Sequence, residues 1–168
     1  MPKQHTISAL VLNHFGVLCR IAGLFSSRGY NIDSLSVGET EDPKVSRMTI
    51  VVRGDERVLE QVVKQLNRLI DVIKVIDITH GPFIERELAL IKVKSDKATR
   101  SEIIQIAEVF RANIVDVSTN SMTIEATGKV DKITAIITML AQYGITEMAR
   151  TGNVALLRDS QPKPENAE

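Results

Sequence analysis

The chain has no tryptophan, two tyrosines and four phenylalanines. A single cysteine, Cys19, excludes an internal disulfide framework. It falls in an apolar helical stretch with Val17, Leu18, Ile21 and Ala22 and has no evident base beside it. A buried, unreactive side chain is therefore expected there. An excess of charge of either sign is also missing, since 21 Lys and Arg balance 21 Asp and Glu. That balance argues against nonspecific binding to nucleic acid or to anionic membranes as the main role. No apolar run is long enough to cross a bilayer. Residues 1–6 lack the basic-then-apolar layout of a secretory signal, so a cytoplasmic location is expected. Spaced metal-ligand motifs, a Gly-rich phosphate loop and a dinucleotide fingerprint are all missing. His5, His14 and His80 stand at the ends of predicted elements. Neither a metal centre nor a catalytic acid–base pair is expected from them.

What the chain does hold is Ile, Val and Leu in two alternating periods. These suit a β-rich core with helices packed on it. At 168 residues it is one medium domain or two small ones. Residues 6–12 read as a strand. Leu18, Ile21, Ala22 and Phe25 then recur at helical spacing, with Gly29 as a stop. Residues 32–38 and 46–53 alternate as strands around the polar turn 39–44. Asp55 caps a second helix carrying Val58, Leu59, Val62, Val63, Leu66 and Leu69, and residues 72–78 form a closing strand. After His80-Gly81-Pro82 the pattern begins again. Strand 88–94 leads to Thr99-Arg100-Ser101-Glu102, which reads as a capping box. A helix with Ile103, Ile106, Ala107 and Phe110 follows, then strands 113–118 and 122–127, a helix over 130–142 and a strand over 145–150.

The fold class is therefore α+β, with two ferredoxin-like βαββαβ units in tandem. Expected bounds are 1–80, 81–158 and a polar, disordered tail over 159–168. Each unit makes a four-stranded antiparallel sheet with both helices on one face and the other face bare. The bare face and edges of the first unit call for a partner, and a homodimer is the economical one. A ferredoxin-like sheet also invites an RNA-binding reading. That reading needs aromatics on the central strands, here 6–12 and 46–53, which carry none.

One segment offers chemistry. Asn13-His14-Phe15-Gly16-Val17-Leu18 joins the first strand to the first helix. A glycine there lets a ligand approach the backbone. The helix start presents unpaired N–H groups and the positive end of its dipole, a site for a carboxylate or a phosphate. A plain turn relieved by Gly16 is the alternative. At the far end of the helix, Asn31 is available to a polar group and Ile32 to an apolar one, with turn chemistry as the alternative for Asn31. A helix of about twelve residues spans roughly 18 Å, so both segments serve one ligand only across a two-fold axis. The pocket then falls at a dimer interface.

Asn13 to Leu18, with Arg20-Ile21-Ala22-Gly23-Leu24-Phe25 and Arg28-Gly29-Tyr30-Asn31-Ile32, resembles the ACT domain, the amino-acid-sensing ferredoxin-like module. These runs are similar to those of the small regulatory subunits of acetolactate synthase (acetohydroxyacid synthase). Arg47-Met48-Thr49-Ile50, Glu87-Leu88-Ala89-Leu90-Ile91-Lys92-Val93 and Ala149-Arg150-Thr151-Gly152 resemble the same family, and the likeness runs from about His5 to Leu157. It implies no active site in this chain and no cofactor of its own. It implies a large catalytic subunit carrying thiamine diphosphate, FAD and Mg²⁺, which condenses pyruvate with pyruvate or 2-oxobutanoate. The small subunit raises that activity and confers feedback inhibition by valine, in some members by leucine or isoleucine. The effector-binding residues implied are Asn13, Gly16, Val17 and Leu18 of one chain with Asn31 and Ile32 of the other. A free-standing ACT-type sensor acting on a different partner is the alternative.

Overall fold

A computed structural model describes residues 3–158. The tail read at 159–168 lies outside the described residues. The fold is α+β, built from two βαββαβ units.

In the first unit, β1 (Lys3–Leu12), β2 (Ile32–Glu39), β3 (Val45–Gly54) and β4 (Val72–Asp77) form an antiparallel sheet in the order β2-β3-β1-β4. Strand alternation assigns the faces. Ile7, Ala9 and Val11 of β1 lie beside Ile50, Met48 and Ser46 of β3. The apolar members of that row pack with the buried residues of helices α1 (Val17–Ser27) and α2 (Glu56–Leu66). Helix α1 buries Val17, Ile21 and Phe25, spaced four apart. Each is worth about 1.5–3 kcal/mol relative to exposure. This stripe corrects the reading of Cys19, which is exposed. Two residues beyond Val17, it stands about 200° around the helix from the core. Leu18 and Ala22 are exposed for the same reason of phase. Asp55 caps α2, its carboxylate accepting from the Val58 N–H at 2.9 Å. The residue before it has to be glycine, because a Cβ on Gly54 would come within 2.7 Å of the Val58 side chain.

The opposite face of this sheet was expected to be bare, and along its middle it is not. Thr6, Ser8, Thr49 and Val51 are buried. Part of the cover is a strand that the sequence pattern did not reveal, β9 (Val154–Leu157). The Ala155 N–H donates to Thr49 Oγ1 at 3.2 Å, and Ala155 is itself buried. The Arg158 N–H reaches Pro82 O at 2.8 Å. The compact units therefore differ from the bounds 1–80 and 81–158. Among the described residues, one unit comprises 3–84 together with 155–158, and the other is Glu85–Val154.

The second unit follows the same plan. Strands β5 (Phe83–Lys94, whose first two residues belong to the first unit), β6 (Asn113–Val117), β7 (Ser121–Gly128) and β8 (Ile145–Arg150) take the order β6-β7-β5-β8. Ala89, Ile91, Val93, Met122, Ile124 and Ala126 pack with Ile103 and Ala107 of α3 (Arg100–Val109). Ile133, Ile136 and Leu140 of α4 (Val130–Ala141) complete this core. The capping box is not formed. The Thr99 side chain makes no cap bond to the helix, because its hydroxyl oxygen accepts the Asp96 N–H at 3.1 Å while its hydrogen goes to Asp96 Oδ1 at 2.9 Å. That same oxygen accepts the N–H groups of Ala98 and Thr99 at 2.9 and 2.8 Å. At the sheet, Glu87 is buried and receives two bonds from Arg150, at 2.6 and 2.8 Å.

Candidate functional site

Gly16 is the first positive-φ residue of the described chain, at φ 87°, and it immediately precedes α1. In this left-handed region a side chain is strained. No atom lies within 4 Å of where its Cβ would stand, so the backbone here borders open space. The Arg20 N–H closes on Gly16 O at 3.0 Å. The N–H groups of Leu18 and Cys19 precede the first regular helical bond and have no helical partner.

A buried acid holds this turn in place. The Leu12 N–H donates to Asp71 O at 2.8 Å. The Asp71 carboxylate, 7% exposed, takes Arg20 Nε at 2.6 Å on one oxygen and faces His14 Nε2 at 3.0 Å on the other. The start of β4, the turn and the first turn of α1 are thereby tied together. On the other side, Asn13 Nδ2 donates to Glu39 Oε1 at 3.0 Å and to Pro43 O at 2.9 Å. The Asn13 amide NH₂ is thus already engaged, leaving its carbonyl oxygen as the end available to a ligand. Apolar side chains surround the turn in the open: Phe15 is fully exposed and Leu18 half exposed.

The six predicted residues fall into two places. Asn13, Gly16, Val17 and Leu18 meet at the start of α1. Val17 is buried in the core, so only its backbone is on offer. Asn31 and Ile32 sit past the far end of α1, which has 11 residues and a length of about 16 Å. The Asn31 side chain is exposed and donates to Asp33 Oδ1 at 2.9 Å. The chain alone does not bring the two groups together. Sequence reasoning missed His14, Arg20, Glu39 and Asp71 as supports of the turn. The available signal was a lone acid, Asp71, at the mouth of an apolar strand.

The histidines are not all apart. His5, Glu56 and His80 converge, with one ligand atom from each within 4.8 Å of the others.

Two tandem ferredoxin-like units, the first opening its helix at a glycine turn, form an ACT-type architecture. The family models agree with that class. Residues 7–74 match the "AHAS small subunit-like ACT domain" and residues 86–159 match "Small subunit of acetolactate synthase". The chain is 55% identical over 158 residues to a probable acetolactate synthase small subunit of Archaeoglobus fulgidus, covering 94% of this chain and 99% of that one. It is 54% identical to the acetolactate synthase small subunit of Aquifex aeolicus, covering 99% of this chain and 87% of that one. Its structure superposes on the crystal structure of the Thermotoga maritima small subunit with a TM-score of 0.88 at 43% identity, covering 95% and 99% of the two chains. The chain belongs to the acetolactate synthase small-subunit family.

Proposed function

We propose that this chain is the regulatory subunit of an acetolactate synthase in branched-chain amino-acid synthesis. It docks on the large catalytic subunit, raises its activity and makes it sensitive to valine. Thiamine diphosphate, FAD and Mg²⁺ belong to that large subunit, and this chain supplies none of the reacting groups. The observation that carries the reading is likeness over nearly the full length, through both units, to proteins named small subunits.

The effector sits between the first units of two copies. Three features support this. β2 is paired only with β3 among the described residues, which leaves a strand edge open to a second copy. Exposed Phe15 and Leu18 flank the turn as surface that an interface would cover. The length of α1 separates the two halves of the pocket within one chain. In the assembled pocket the valine carboxylate meets the Leu18 and Cys19 N–H groups at the positive end of α1. The carbonyl oxygens of Asn13 and of the second copy's Asn31 accept from its ammonium group, and Ile32 packs on its side chain. Valine inhibits by binding one arrangement of the paired units more tightly than another. A coupling of about 1–3 kcal/mol is enough for a useful change in activity.

The test is reconstitution with the large subunit and assay of acetolactate formation with and without valine. Gly16→Asp is expected to keep activation and lose inhibition. The added carboxylate repels the ligand's own and carries the strain of a positive φ, while open space around Gly16 spares the core. Full valine sensitivity in that variant would sink the site. No rise in activity with the wild-type chain would sink the regulatory role. Calorimetry of the chain against valine, leucine and isoleucine ranks the effectors.

A further inference from the structure

β1 lies beside β4, so the start of the chain and the exit from the first unit are neighbours. The Ile78 N–H donates to Thr6 O at 3.0 Å, and the Thr6 N–H donates to Thr79 Oγ1 at 3.0 Å. This pairing sets His5 next to His80, their ring centroids 6.5 Å apart. Glu56, in the first turn of α2, joins them, with its Oε1 3.5 Å from His80 Nε2.

His5 is fully buried, and its Nε2 lies 3.2 Å from Gly54 O. A carbonyl only accepts, so Nε2 carries the proton and Nδ1 is left as a bare lone pair. That Nδ1 has no hydrogen-bond partner among the described residues. An unpaired buried acceptor is a costly arrangement to keep. It is also the state in which imidazole binds a metal: neutral, with its far N–H held by a backbone carbonyl that fixes ring and tautomer.

We propose that His5, Glu56 and His80 bind one divalent transition-metal ion of the zinc type, tying β1, the start of α2 and the segment after β4 together. Two imidazoles and a carboxylate suit Zn²⁺, with solvent in the fourth position. Tetrahedral bonds near 2.0–2.1 Å bring ligand atoms to about 3.3 Å from one another, so the cluster has to contract. The two side chains that move are the exposed ones, His80 at 62% and Glu56 at 55%, while His5 stays fixed. Lys3 Nζ, 4.0 Å from Glu56 and 74% exposed, makes a screened contact that a dication displaces.

The test is calorimetric titration of the purified full chain, free of any tag, with Zn²⁺ alone, followed by Co²⁺ as a spectroscopic probe. Expected are one Zn²⁺ per chain, a rise in Tm with Zn²⁺, and a visible Co²⁺ ligand-field band. His80→Ala and Glu56→Gln alter exposed positions, so both variants are expected to fold. Each should weaken Zn²⁺ binding by about 10- to 100-fold or more, at least the effect of removing a supporting residue around a metal. Cys19→Ser should change nothing. Absence of Zn²⁺ binding by the wild type overturns the proposal. So does equal affinity in wild type, His80→Ala and Glu56→Gln.

Discussion

Asp71 shows how one side chain sets up a site that it does not itself line. It joins the mouth of β4 to His14 and Arg20, and its backbone oxygen holds Leu12. Asp71→Ala leaves Arg20 and His14, both half exposed and therefore still solvated. The loss is that of an ion pair whose cation is half exposed and screened, about 0.2–1 kcal/mol in urea unfolding. Calorimetry of the folded variant should show weaker binding of valine, the proposed effector, because the glycine turn loses its anchor. An unchanged affinity would mean that the turn is held by Asn13 alone. Cys19 teaches the converse lesson. Its apolar neighbours Val17 and Ile21 suggested burial, but the stripe of Val17, Ile21 and Phe25 fixes the phase of the helix and leaves the thiol outside. Composition near a residue is legible without a structure. Which side of a helix it occupies depends on where the stripe begins.

Strands and helices were legible because two periods do not imitate each other. Met48, Ile50 and Val52 alternate, Leu59, Val62 and Leu66 do not, and each set lies in the core. The start of α3 was less legible, because two local patterns compete there. Thr99 and Glu102 have the spacing of a capping box, but the Asp96 N–H and carboxylate take both ends of the Thr99 hydroxyl first. Bonds from the Thr99 backbone, then its hydroxyl, then the Ala98 backbone, hold the Asp96 carboxyl below its ordinary pKa. A carboxyl with a depressed pKa in the folded chain gives stability that is present above its unfolded pKa and lost as pH falls through its folded one. The Asp96 carbon resonance should therefore titrate below that of an unstructured aspartate. The amides of Ala98 and Thr99 should lose exchange protection over the same acidic interval. A titration at the ordinary value would remove this account of how α3 begins. β9 escaped notice for a different reason. Val154–Leu157 is four residues long and mostly exposed, so no period could form, and its cover of Thr49 is made by Ala155.

That short strand decides what belongs to what. Removal of residues 154–168 is expected to bare Thr49, now 2% exposed. Hydrogen exchange should then report lost protection across β1 and β3 and unchanged protection in β5 and β7 from Leu88 onward. Equal loss in both sheets would mean that the two units share one cooperative transition. The convergence of His5 and His80 was equally hidden in the sequence. No short motif links them, and only the pairing of the first strand with the fourth places them side by side.

The return of residues 155–158 also sets an order of events during synthesis. The first unit is not finished when its own six elements have left the ribosome. Its sheet waits, with Thr49 uncovered, until a whole second unit and residues 155–158 have been translated. The part of the protein that is made first is completed last. A chain cut short by even fifteen residues would carry two intact βαββαβ patterns and still lack the piece that closes the first of them.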